Sequence, residues 1–310
     1  MKDIQYVKIS GQLDVTGIYN YNGAEKKRGN NNHKGAKRDK MGRDFTSSRC
    51  IRHEIFKDIQ PRQPASDEFS KFFIDLAASE VGLLRGYLSP EDGFKRSSPL
   101  YISDAYTDDK YLHEVTFNNG EETNERKTAL IFDQGISSKP KESQKLNKKG
   151  DAGSDTSIFS QDNAPNRKQN LIGAINIKEL QFLSLDDLDP SFRMVGKKSE
   201  DEFVDKLKKY FSAHGIQDSI VINEYKDIGA ILDVPRRGIL LSQNQVKHLI
   251  KVALSRIKSI DGLKAGASLK TDVESLQIVF GTGNDTFTKS HSEFLTDLSS
   301  FTFKEFYKLF

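Results

Sequence analysis

Apolar positions along the chain follow two rhythms. Ile4 to Ile9 alternate with polar neighbours (IQYVKI), which predicts a strand with one face toward a core. PLYISDAY (99–106), YLHEVTF (111–117), TALIF (128–132), SIVIN and VESLQIVF read as further strands, and LIGAINIKELQFLSL as one or two. Helical spacing marks four other stretches. One runs from the TSS before Arg49 to about Ile59, where QPRQP stops it. A second starts near Asp67 and carries Phe69, Phe72, Phe73, Leu76, Leu83, Leu84 and Tyr87. A third carries Phe203, Val204, Leu207, Tyr210 and Phe211 and closes at Gly215. The fourth carries Val246, Leu249, Ile250, Ala253, Leu254, Ile257 and Ile260. Residues 20–44 and 133–170 lack either rhythm and are expected to be long polar loops. Such loops are uncommon in a compact domain unless they work or are disordered. No internal repeat is visible.

Reduced to its strongest elements, the order is strand, helix, strands, strand, helix, strand. That is the ferredoxin-like βαββαβ order, stretched by insertions, and predicts an α+β fold in a single elaborated domain over 1–310. The RNA-recognition fold shares this order and presents a sheet face to single-stranded RNA. Many unrelated proteins share it too.

Composition narrows the class. The 310 residues are 36% apolar and 29% charged, which suits a soluble protein with a real core and generous loops. No apolar run approaches the ~18 residues of a membrane helix, and MKDIQYVKIS has no signal-like apolar region. Cys50 is the single cysteine, so disulfide frameworks and cysteine zinc sites within one chain are excluded, and a cytoplasmic location is expected. Net charge is only +3, but its distribution is uneven. Lys26, Lys27, Arg28, Lys34, Lys37, Arg38, Lys40 and Arg43 face one acid, Asp39, and five lysines crowd 139–149. Local basic loops on a nearly neutral chain suggest a polyanion partner, although a solvated loop would carry the same charges.

The basic loop runs into a helix start, GRDFTSSRCIRHEIF (42–56). Thr46, Ser47 and Ser48 are good caps, and Arg49, Arg52 and His53 share the face opposite Cys50, Ile51 and Ile55. A helix start with basic residues on its solvent face is a candidate anion site. Arg236 and Arg237 in DVPRRGILLS form a second candidate phosphate fork, or an exposed turn. The usual enzyme signatures are missing, and GTG at 281–283 has neither the third glycine nor the helix start of a phosphate loop. Six scattered histidines lack ligand spacing, so neither metal nor cofactor is expected. His33 and His53 as acid and base, or Asp39 and Asp44 as carboxylates, would suit a ribonuclease; phosphate contacts and ordinary loop acids are the simpler roles. The aromatic tail FTFKEFYKLF either covers its own core or docks on a neighbouring subunit.

The first strand, the turn glycines Gly11 and Gly17, the loop NYNGAEKKRGNNNHKGAKRDK and the helix TSSRCIRHEI together resemble the backbone subunit of Cascade, the CRISPR surveillance complex, of the Cas-seven family in the RAMP superfamily. The match is strongest over 3–58. The resemblance implies a modified RNA-recognition palm, helical fingers at 60–98 and a thumb or flexible loop at 133–170. It implies CRISPR RNA as ligand, target DNA reached through the guide, copies of the chain in a helical filament, and other Cascade subunits as partners. RNA contacts would map onto Arg28, Lys34, Lys40, Arg43, Ser47, Ser48, Arg49 and Arg52, and the thumb would turn Lys139, Lys141, Lys145, Phe159, Arg167 and Lys168 toward nucleic acid. The modest size is most similar to a minimal type I-F variant, with type I-B, I-C and type IV proteins as alternatives. The aspartate motifs of RNA-cutting relatives are missing, which favours a non-cutting subunit over a RAMP-type endoribonuclease.

Overall fold

The first strand, β1 (Tyr6–Thr16), lies inside the largest sheet because its alternation is real: Val7, Ile9, Leu13 and Val15 are buried while Lys8, Ser10 and Asp14 face solvent. The computed structural model describes residues 3–17, 19, 24–28, 31–35, 39–41, 43–61, 69–88, 95–108, 113–118, 126–131, 161–163, 166–186, 192–193, 199–231, 234–264, 267–283 and 285–310. Across the sheet the strands run Asp261–Lys264, Ala267–Gly281, β1, Arg167–Ile175, Ala105–Tyr106, Phe45–Thr46, all antiparallel. Leu100–Ile102 also pairs with Arg167–Ile175, and Thr286–Ser290 with Ala267–Gly281. The last long strand thus lies beside the first, and the third principal strand on its other side. Helix α1 (Ser48–Phe56) and the helix Gln243–Lys258 bury Ile51, Ile55, Leu249, Ile250 and Leu254 in the same core as Val7, Ile9 and Leu13.

The two longest helices begin and end where elementary capping places them. Ser242 and Gln245 form a reciprocal capping box ahead of Gln243–Lys258, and Arg256 and Lys258 complement the dipole at its end. Glu200–Ala213 starts with Glu200, Asp201 and Glu202 and is followed by Gly215 at φ 77°, a left-handed position that glycine adopts without strain.

Two expectations are corrected. The helix expected from Asp67 through Tyr87 is broken into Phe69–Ala77 and a π turn, Val81–Arg85. The Ser79 hydroxyl donates to the Leu76 carbonyl (2.7 Å) and accepts from Gly82 N–H (3.3 Å), so a side chain replaces the regular ladder. A Cβ on Gly82 would sit 2.0 Å from Leu76 O, and Gly82→Ala is expected to destabilise the fold by ~2 kcal/mol or more, read by chemical denaturation. An unchanged denaturation midpoint would show that this turn yields without cost. The polar stretch 20–44 contains a hairpin, Ala24–Arg28 and Asn31–Gly35, in place of continuous loop. Its register sets Arg28 opposite Asn31, separated by the dipeptide Gly29-Asn30, a turn signal without any apolar alternation beside it.

LIGAINIKELQFLSL divides into strand, the short helix Ile177–Gln181 and the strand Phe182–Ser184. The latter joins a smaller sheet with Pro235–Leu240, Ile222–Asp227 and Tyr307–Leu309. The aromatic tail splits in role. Phe301, Phe303 and Tyr307 are buried, and Tyr307 stacks on Phe182 at 4.4 Å, whereas Leu309 and Phe310 are 65% and 64% exposed.

A histidine pair joins the two long helices. A hydrogen bond links Tyr210 Oη and His248 Nε2 (3.1 Å), and the His214 ring lies 4.4 Å from that of His248. Burial first, and then the His214 charge, lower the His248 pKa, and burial lowers that of His291. The unfolded chain therefore binds more protons near pH 6.5 than the folded one. Stability is full above about pH 6.5 and is lost as pH falls below it. The thermal midpoint is expected to drop between about pH 7 and pH 5, and less so in His248→Gln. Equal slopes for the two proteins would remove His248 as a source.

Candidate nucleic-acid interface

The start of α1 is already occupied by the protein's own groups. The Ser47 side chain accepts from Cys50 N–H (3.4 Å), and the Asp104 carboxylate accepts from Ser48 N–H (2.7 Å). The anion at the helix start is thus Asp104, and a phosphate would have to be held by side chains further along the helix. Arg49 is exposed there, and Arg52 and His53 are half-buried.

Arg52 has a neighbour that local sequence reading did not find. Arg85, the last residue of the π turn, is held below the usual arginine pKa by burial and then by the Arg52 charge. Its Nη1 donates to Gln60 Oε1 (2.6 Å). Arg52 Nε is buried with no hydrogen-bond partner. Among the described residues, no carboxylate lies within ion-pair distance of Arg49, Arg52 or Arg85. Two neighbouring guanidiniums without a carboxylate would favour an anion, and a phosphate offers acceptors for both forks.

The remaining basic candidates divide by partner. Lys40 is exposed. Arg43 clasps Asp39 (2.8 Å) and lies over the Tyr106 ring at 4.9 Å. Partial burial would raise the Asp39 pKa, but hydrogen bonds from Arg43 N–H, its guanidinium and Met41 N–H bring it below the usual carboxylate range. Asp44 is buried and accepts from Arg167 Nε (2.6 Å) and Gln169 Nε2 (3.0 Å), while its own carbonyl accepts from Thr107. Arg167, expected to turn toward nucleic acid, therefore points inward and pins the end of the basic loop to the central sheet. Lys168 is on the open sheet face, paired with Asp272 (2.5 Å). Arg237 is forked onto Glu200 (2.7 and 2.5 Å) and Arg236 lies 3.7 Å from Asp186, both on the smaller sheet. Arg28 and Lys34 fall on the two hairpin strands; their side chains, and Lys139, Lys141, Lys145 and Phe159, lie outside the described residues. The structure thus groups Arg49, Arg52 and Arg85, and places Arg236 and Arg237 on a different sheet. Among the described residues, no three His, Cys, Asp or Glu side chains are placed to hold a metal.

A family model described as type I-Fv CRISPR-associated protein Cas7fv-like matches residues 14–308. The chain belongs to this family. It is a Cas7 family of Cascade in a minimal type I-F variant, and Cas7 proteins are generally structural backbone subunits associated with CRISPR RNA and other Cascade subunits. No curated protein matches the chain. No helix among the described residues is long and apolar enough to cross a membrane.

Proposed function

We propose that this chain is a non-catalytic backbone subunit that binds CRISPR RNA through its phosphates, repeats along the guide spacer beside other Cascade subunits, and presents the guide for pairing with target DNA. The observation that carries the reading is the basic cluster where the π turn packs on α1: the half-buried Arg52, whose Nε has no hydrogen-bond partner, the half-buried Arg85, whose pKa feels the Arg52 charge, and the exposed Arg49 one turn away, none of them with a carboxylate among the described residues. A guide-binding protein must accept any spacer, so contacts to phosphate and ribose suit it better than contacts to base edges. Contacts to 2′-hydroxyls would separate RNA from DNA. The strand order, fourth beside first beside third beside second, supports a modified RNA-recognition palm. Residues 60–98 would be fingers, and the thumb expected at 133–170 would lie in the part ahead of the sheet strand Arg167–Ile175. Asp39 and Asp44, the carboxylates nearest the basic loop, are each bound to an arginine, which supports a role in placing the loop over one in catalysis.

The test uses labelled RNAs of unrelated spacer sequence at several salt concentrations, with and without Mg²⁺. Affinities should agree across sequences and fall with salt at a slope of about −0.7 per neutralised phosphate. Sequence-dependent affinity, or turnover of the RNA, would overturn the reading. Removing 139–160 should leave short-RNA binding intact and abolish regular filaments; filaments of normal pitch from that variant would remove the thumb assignment.

A further inference from the structure

Arg96 is only 6% exposed, and burial lowers its pKa to about 10, a shift that the nearby Tyr87 and Glu179 oppose. Its donors go to main-chain carbonyls of two separate segments. Nε donates to Leu83 O in the π turn and Nη2 to Glu179 O in the short helix Ile177–Gln181, each at 3.3 Å. The Ser98 hydroxyl adds a second tie, lying 2.9 Å from Leu84 O and 2.6 Å from Leu100 O in the sheet strand Leu100–Ile102. Helix ends leave carbonyls without ladder donors, so Leu83 and Leu84 are where side chains can cap the π turn.

Arg85 is the next residue. Gly86 follows it at φ 74°, a left-handed conformation, and a Cβ there would lie 2.2 Å from Arg96 O. Tyr87 then pairs with Arg96 in a small sheet of Tyr87–Leu88, Lys95–Arg96 and Phe192–Arg193. The main chain is thereby fixed on both sides of Arg85, by Arg96 and Ser98 before it and by Gly86 and the strand pairing after it. Gln60 Oε1 holds its guanidinium (2.6 Å). These restraints have a force to oppose. The Arg52 charge disfavours that of Arg85, and an arginine on a loose turn would swing away into water.

We propose that Arg96 and Ser98 are positioning residues for the RNA site: they cap the carbonyls of the π turn and so hold the Arg85 guanidinium near Arg52 before a phosphate arrives. Arg96 is buried and acts through the main chain, not on the ligand. A fork already in place loses less side-chain freedom on binding than one that must be gathered. A lysine at 96 would keep the charge but lose the planar fork that serves both carbonyls. The inference rests on the reading of Arg52 and Arg85 as phosphate ligands and names what sets their placement.

The test is a set of double-variant cycles on the full chain, read by RNA affinity at several salt concentrations below each protein's thermal midpoint. Arg96→Met, Arg96→Lys and Ser98→Ala are each measured alone and combined with Arg85→Gln. Alone, the two Arg96 variants should weaken RNA binding about fivefold or more and Ser98→Ala about threefold, each with a shallower salt slope, as though the Arg85 contact were lost. Combined with Arg85→Gln, each should add less than about twofold, because the group it positions has gone. A merely structural role, or a general effect of charge, would weaken both backgrounds alike and overturn the proposal. Parental affinity in a folded Arg96→Lys or Ser98→Ala overturns the role of that residue. Should the Arg96 variants fail to fold, the Ser98→Ala cycle decides alone. If Arg85→Gln by itself binds RNA as the parent does, the phosphate reading fails and takes this inference with it. If Arg85→Gln weakens binding and the cycles are additive, only the positioning fails.

Discussion

Arg52→Gln and Arg85→Gln are each expected to weaken RNA binding by about tenfold or more, while leaving the thermal midpoint unchanged or higher. The two effects run in opposite directions because the pair is a poor arrangement for the protein by itself. Burial and the neighbouring Arg52 charge both disfavour the charged form of Arg85, and Arg52 Nε has given up water without gaining an acceptor. Glutamine keeps part of each stem packed and removes the repulsion, so the free protein gains while the complex loses. A site that costs stability without its ligand is a familiar trade-off. Where both forks hold one phosphate, the double variant should lose less than the product of the single losses. The loss should be similar for every spacer sequence, and each variant should show a shallower salt dependence than its parent. A lowered thermal midpoint with intact RNA affinity would make the pair a structural feature and move the phosphate site elsewhere.

How much of this was legible in the chain depends on how far each signal reaches. Gln243–Lys258 and Glu200–Ala213 were readable because their apolar residues recur every three or four positions and their ends carry caps. β1 was readable from its alternation, though only its first half was expected. The hairpin 24–35 was not, because its strands hold almost no apolar residue for periodicity to detect. The basic candidates were visible as charges, but charge does not reveal a partner. Arg43 beside Asp39 is a local pairing four residues apart, whereas Asp44 and Arg167 meet across the central sheet from distant parts of the chain. Arg85 reads locally as the end of an apolar helical face, Val81 to Leu84; only the π turn and the packing of α1 bring it to Arg52.

The other large effect belongs to the Asp44–Arg167 pair. Asp44 is 2% exposed and the Arg167 side chain 9%, and the carboxylate receives both Nε and Nη2 of the guanidinium as well as the Gln169 amide. Removing one partner leaves the other charge buried and unpaired, which typically costs about 3–5 kcal/mol. That is a large share of the ~5–15 kcal/mol that holds a domain folded. Asp44→Asn and Arg167→Met are therefore each expected to lower stability by about 3 kcal/mol or more in denaturant titration. The double variant should recover much of the loss, since no uncompensated charge remains and the Thr107 bonds to the residue 44 carbonyl do not depend on the side chain. RNA affinity offers a second readout. The pair anchors the loop holding Lys40 and Arg43 without facing solvent, so RNA binding by the folded double variant should weaken only as far as the loop is displaced. Strong loss of RNA affinity in Arg167→Met with unchanged stability would mean that Arg167 turns outward to the nucleic acid, and the anchoring role assigned to it here would be wrong.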